Sequence, residues 1–187
     1  GNVAPVIEAR AELYALDDRP EQALKCLLSL NPADLSDPQV VFDLVDNKQL
    51  YAAVRSRVAD LAALSRDKAA EMLVRRVDRF PIELVAHQLE QDDLLLWYLR
   101  IAFLEMPEAY SEPQHRDLHA KHVHLYATSP ARADDDLDRP YDSELLRFLQ
   151  WSSFVPLQDA LTACEQLASP PLHNEIVYIL GRMGQPK

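Results

Sequence analysis

Glycine is nearly missing from this chain of 187 residues: the three present are Gly1, Gly181 and Gly184, so none stands between Asn2 and Leu180. Phosphate-cradling loops, dinucleotide turns and nucleophile elbows use glycine to reach positive φ or to let a ligand approach the backbone. Nucleotide-binding and hydrolase loops of those kinds are therefore excluded. Cysteine is scarce too. Cys26 and Cys164 each lie in an apolar helical pattern (Leu24, Leu27, Leu28; Leu161, Leu167) and read as buried free thiols in a reducing compartment. Positive charge is in deficit, with 19 Lys and Arg against 30 Asp and Glu and a net charge of −11. A nucleic-acid groove or an anionic membrane surface would be approached against that repulsion, so neither is expected as a partner. No apolar run approaches the roughly 18 residues that span a bilayer, and positions 1–11 lack a signal-peptide design. The sequence reads as cytosolic, without membrane insertion.

What is abundant is apolar side chain, 48% of the residues, spaced at three and four and punctuated by 13 prolines. This grammar predicts helices over 5–16, 20–30, 38–45, 67–77, 81–90, 93–105, 113–127, 141–151, 157–167 and 172–183. A further helix of about five turns is predicted from Asn47, taken as N-cap, to Leu64, with Leu50, Tyr51, Val54, Val58, Leu61 and Leu64 on one face. No segment alternates with a period of two, so no strand is predicted and helix is expected for about two-thirds of the chain or more. Short links between helices of this length indicate stacked antiparallel pairs. The stretch from Leu94 to Phe103, apolar nearly all round, belongs inside the stack.

Three histidines form the one cluster with possible metal chemistry. His115, His119 and His122 fall at i, i+4 and i+7, with Asp117 and His124 close by, and three imidazoles on one helix side suit zinc. A straight helix, however, places i and i+7 about 10 Å apart, too far for one ion. The three are read instead as a solvated stripe opposite Leu118, Val123, Leu125 and Tyr126, and no cofactor is expected. The acidic run Asp134 to Asp138 reads as a surface loop, lacking the glycine and ligand spacing of a calcium loop. The segment from Glu90 to Leu95 matches an acidic-dileucine sorting pattern, but both leucines open the most apolar helix and read as core. No serine or cysteine carries a local signature of activation, so catalysis is not expected.

The last third carries a resemblance. Leu125-Tyr126-Ala127, then Tyr141-Asp142 with Leu145-Leu146 and Phe148-Leu149, then Pro156-Leu157 with Ala160-Leu161 and Cys164, and finally Ile176 to Gly184 occur in the order found in clathrin-heavy-chain-repeat regions of vacuolar sorting proteins. Ala11 to Tyr14 with Ala23-Leu24, Lys68 to Leu73, and Val85 to Gln91 leading into Trp97 to Leu99 agree with it. The linkers 129–140 and 168–173 look longer than the family's. The resemblance implies one all-α domain over 1–187, an α-solenoid of stacked antiparallel helix pairs and a piece of a longer protein, without the family's β-propeller or RING finger. It implies a non-catalytic scaffold of the HOPS tethering complex, peripheral to late endosomes and the vacuole or lysosome. Its partners would be other tethering-complex subunits and the adaptor complex of the direct vacuolar pathway. Small-GTPase binding is not placed here. Two other readings stand beside it: a tetratricopeptide-like adaptor gripping a peptide, and a metal-dependent protein built on His115, His119 and His122. The last helix spreads Ile176, Val177, Ile179, Leu180 and Met183 over more than one face, so the C-terminal end is expected to self-associate or fray.

Overall fold

Proline sets the first helices in place, because its fixed φ suits the first turn and its missing N–H costs nothing there. A computed structural model describes residues 3–89, 94–129 and 143–184. Helical conformations take 76% of the described residues and no strand occurs among them. The chain divides into two units, Gly1–Tyr98 and Leu99–Lys187.

In the first unit α1 (Ala4–Leu16) and α2 (Pro20–Leu28) form a hairpin. After a 3-10 turn at Pro32–Asp34 come α3 (Gln39–Lys48), α4 (Tyr51–Val54), α5 (Val58–Leu64), α6 (Arg66–Arg75) and α7 (Ile82–Leu89). Each packs on near neighbours, α2 on α3, α3 on α6, and α5 on both α6 and α7, as the helices of an α-solenoid do. The core is Val41, Phe42, Val45, Val54, Val58, Leu61, Ile82, Val85 and Leu89, all buried. Two turns do without glycine. Asp18 and Gln49 both sit at φ 55°, which lets Arg19 N–H bond to Tyr14 C=O and Leu50 N–H to Val45 C=O. For a residue with a Cβ this conformation costs about 1–2 kcal/mol.

The single helix expected over 47–64 is not formed. Asn47 lies inside α3, and the chain breaks again at Arg57 (φ −129°). The Gln88 amide from α7 fills that second break, donating from Nε2 to Arg55 C=O and accepting the Val58 N–H at 3.2 Å. Both backbone groups are thereby paired without helical continuity. The break still leaves Tyr51, Val54, Val58 and Leu61 inside, which is why their spacing resembled one helix.

The boundary between units falls in α8 (Leu94–Glu105). Beyond it come 3-10 turns at Pro107–Tyr110 and Pro113–His115, then α9 (Arg116–Thr128), α10 (Glu144–Trp151), α11 (Leu157–Thr162) and α12 (His173–Met183). The predicted helix over 157–167 changes pitch, its last part, Ala163–Leu167, being a π-turn. Leu95 and Leu99 are buried as expected, whereas Leu94 is half-buried and Leu104 exposed. Cys164 is buried and Cys26 only half-buried, so the buried reading fails for Cys26; neither is in a disulfide. Residues 90–93, with the acidic half of the dileucine pattern, and the acidic run 134–138 lie outside the described residues. No described helix is long and apolar enough to cross a membrane.

Candidate functional site

The histidine stripe is buried, which corrects its reading as a solvated face. His115, His119 and His122 are 6%, 0% and 3% exposed, while Asp117 and His124 face outward. His115 is not on α9 but in the 3-10 turn before it, and Leu118 and Leu125, assigned to the apolar face, are only half-buried. Imidazole is amphiphilic, so a period of three and four does not tell whether a histidine lies on the wet or the packed side.

His119 is a neutral knot. Its Nε2 lies 2.9 Å from Tyr110 C=O, which can only accept, so Nε2 carries the proton. Nδ1 is therefore the acceptor for the Ser152 hydroxyl at 2.6 Å. Ser152 Oγ in turn accepts the Phe154 N–H at 3.2 Å. The ring stacks on Trp151 at 5.3 Å and lies 4.6 Å from Phe103 and 5.7 Å from Phe154. Burial pushes its pKa down, partly offset by the Tyr110 carbonyl and reinforced by His115. His122 sits between Phe148 at 4.6 Å and Phe103 at 5.4 Å, and its Nδ1 has no hydrogen-bond partner. Burial first, then the nearby His119 and Arg100, bring its pKa down to about 3. His115 meets the Tyr110 ring edge-on at 5.4 Å. Among the described residues no group of three or more His, Cys, Asp or Glu side chains is arranged to hold a metal ion.

Beside the knot a cleft of about 210 Å³ is lined by Phe103, Leu104, Pro107, His122, Phe148 and Trp151. At its edge Arg100 reaches the Glu144 carboxylate through two nitrogens, at 2.7 and 2.8 Å. The helices behind are held by polar clamps. The Ser143 hydroxyl caps α10, accepting Leu146 N–H at 3.0 Å, and donates to the buried Glu175 of α12. Arg182 of α12 donates to Leu149 C=O at 2.8 Å and Ser152 C=O at 3.1 Å, closing the other end of α10. The period of the sequence gave no sign of these clamps. The one available signal was the aromatic spacing Phe148, Trp151, Phe154, which marks a face that a buried imidazole can stack on.

Two helices keep an apolar face uncovered among the described residues. On α12, Val177, Leu180 and Met183 are 70%, 49% and 43% exposed, while Ile179 is buried. On α1 and the residue before it, Val3, Val6, Leu13 and Leu16 are 62–82% exposed. On each helix these side chains recur at three and four and share one side, the kind of apolar strip that protein association buries. A family model described as the Vps41 TPR-like region matches residues 2–187. The chain belongs to this Vps41 family. The Vps41 homologs of Homo sapiens and Danio rerio are each 29% identical to it, over 97% and 93% of this chain. That of Solanum lycopersicum is 31% identical over 98%. All three are called vacuolar protein sorting-associated protein 41 homolog. The chain spans only 17–18% of the length of these Vps41 relatives. No solved structure matches it.

Proposed function

We propose that this chain is a non-catalytic scaffold segment of a HOPS-type tethering subunit, one α-solenoid stretch supporting protein assembly in endosome–vacuole fusion and adaptor-dependent vesicle docking. The observation that carries the reading is the Vps41 TPR-like match over residues 2–187. The relatives' names place those proteins in vacuolar protein sorting. Two features support assembly over catalysis. Within each unit the helices pack on near neighbours in the chain, as the helices of repeat scaffolds do. The buried histidines are packed among aromatic rings, with His119 fully committed to Ser152 and Tyr110. On this reading the segment works at the late endosomal or vacuolar membrane without entering it, through the other subunits of the complex.

The test is a pull-down of purified tethering-complex subunits and of adaptor subunits with the 187-residue chain. Capture of a tethering subunit is expected, and so is its weakening when Val177, Leu180 and Met183 are together replaced by Ser. Failure to capture any subunit, with circular dichroism showing a folded chain, counts against the scaffold. Sedimentation at several concentrations measures the self-association expected through the same face of α12. A chain that is monomeric throughout, with α12 well protected in hydrogen exchange, would remove that face as a contact surface.

A further inference from the structure

We infer that the first unit carries a docking groove for a basic amphipathic helix of a partner protein, formed where α1, α2 and the start of α3 meet. This inference does not depend on the tethering reading. Alanine is the reason the groove exists. On α1 the residues Glu8, Ala11, Glu12 and Ala15 follow one another at helical spacing on one side, and Ala23 of α2 faces them. Three methyl groups stand where large side chains would otherwise meet, which leaves a trough of about 240 Å³ over Leu27, Leu35 and Leu44. Val40 forms one wall and is 48% exposed. Sites for whole small molecules run to about 300–1,000 Å³, so a trough of this size fits one or two inserted side chains.

The rim decides which. Glu8, Glu12 and Asp37 surround the trough, and no Lys, Arg or His lines it. Glu8 is fixed in place by Ser36, whose N–H and hydroxyl donate to its two carboxylate oxygens at 2.7 and 2.6 Å. Those bonds hold its pKa below the usual carboxylate value. An apolar floor beneath a purely anionic rim complements a helix that offers leucine-like anchors at i, i+3 or i+4, and i+7, with Lys or Arg alongside. The alanines matter a second time, because small residues let the backbone of the incoming helix come close.

The experiment is fluorescence anisotropy of a synthetic amphipathic peptide of about 15 residues, with leucine anchors and Lys/Arg flanks, titrated with the 187-residue chain. A second peptide has the same leucines and Glu flanks. The basic peptide is expected to saturate and to weaken as salt screens the rim, and the acidic one to bind about tenfold or more weakly. Glu12→Lys with Asp37→Lys, both exposed positions, is expected to weaken the basic peptide about tenfold; Asp37 also accepts the Gln39 N–H at 2.9 Å at the start of α3, so circular dichroism at the titration temperature checks that the variant stays folded. Ala15→Trp, which fills the trough, is expected to abolish binding, while Glu105→Lys on α8 leaves it unchanged. No saturable binding, equal binding of both peptides, or indifference to the Glu12 and Asp37 reversal would overturn the inference. A dimer of the chain that dissociates on Glu12→Lys would also overturn it, by giving the groove to a second copy.

Discussion

The two units reach burial by different means. Six polar side chains are buried among the described residues, His115, His119, His122, Ser143, Ser152 and Glu175, and all lie in Leu99–Lys187. Among its described residues the first unit buries only apolar side chains and tyrosine. Tyr51, edge-on to Phe80 at 6.1 Å, sends its hydroxyl to Asp46 at 2.6 Å. Several of its other side-chain hydrogen bonds go to backbone at turns and breaks, as with Gln49 and Gln88. An apolar core tolerates many shapes, whereas a buried polar group left without its partner costs about 1–3 kcal/mol. The second unit therefore has the more specific core and the more fragile one, and its fragility is chemical, since imidazole titrates.

The sharpest test of that contrast is His119→Ala. It opens a cavity among four aromatic rings and removes the ring's bonds to the Ser152 hydroxyl and the Tyr110 carbonyl, so a loss of about 3–4 kcal/mol is expected in urea denaturation. A loss below about 1 kcal/mol would show that the knot is ornamental and would break the comparison. Acid comes next. Both His119 and His122 have folded pKa values lowered from the ordinary value, that of His122 to about 3. At His122, between pH 6.5 and about 3, the unfolded chain takes up the proton that the folded chain refuses. The stabilisation is fully present above the unfolded pKa and is lost as pH falls, at up to about 1.4 kcal/mol per pH unit for His122, with His119 acting in the same direction. Hydrogen exchange from pH 7 to 4 should show α9 and α10 losing protection ahead of α1 to α3. Uniform loss would contradict the division.

A smaller effect is expected in the first unit. Gln88→Ala leaves Arg55 C=O and Val58 N–H without their bridge, costing about 1–2 kcal/mol, with faster exchange at Val58 and no added acid sensitivity. The smallest is His122→Leu. Its Nδ1 already lacks a partner, so an apolar residue of similar size should change stability by less than about 1 kcal/mol at pH 7 while flattening the acid slope. A large loss at neutral pH would mean that the imidazole makes a contact which packing alone does not reveal.

Most of the helices were legible because apolar spacing and proline placement are local signals. What escaped was non-local. The break at Arg57 is stabilised by Gln88, thirty residues beyond Val58, and nothing between 47 and 64 announces it. The burial of His119 depends on Ser152 and Tyr110, which no window on α9 contains. Cys26 shared the apolar pattern of its neighbours yet lies at the half-covered edge of α2. The family resemblance was readable because it rests on residue order over the whole chain, whereas the groove of the first unit needed three helices to be brought together.

The double clamp between α10 and α12 has a mechanical consequence. Glu175 grips the start of α10 and Arg182 its end, and on α12 the two are about two turns, some 10 Å, apart. The helices therefore run in the same direction with a fixed register. A slip of one turn, about 5.4 Å, would break both grips at once. Under tension along the helix axes the pair should bear load as a unit in shear, yielding abruptly instead of creeping. Single-molecule pulling would read this as one sharp rupture that Arg182→Ala softens.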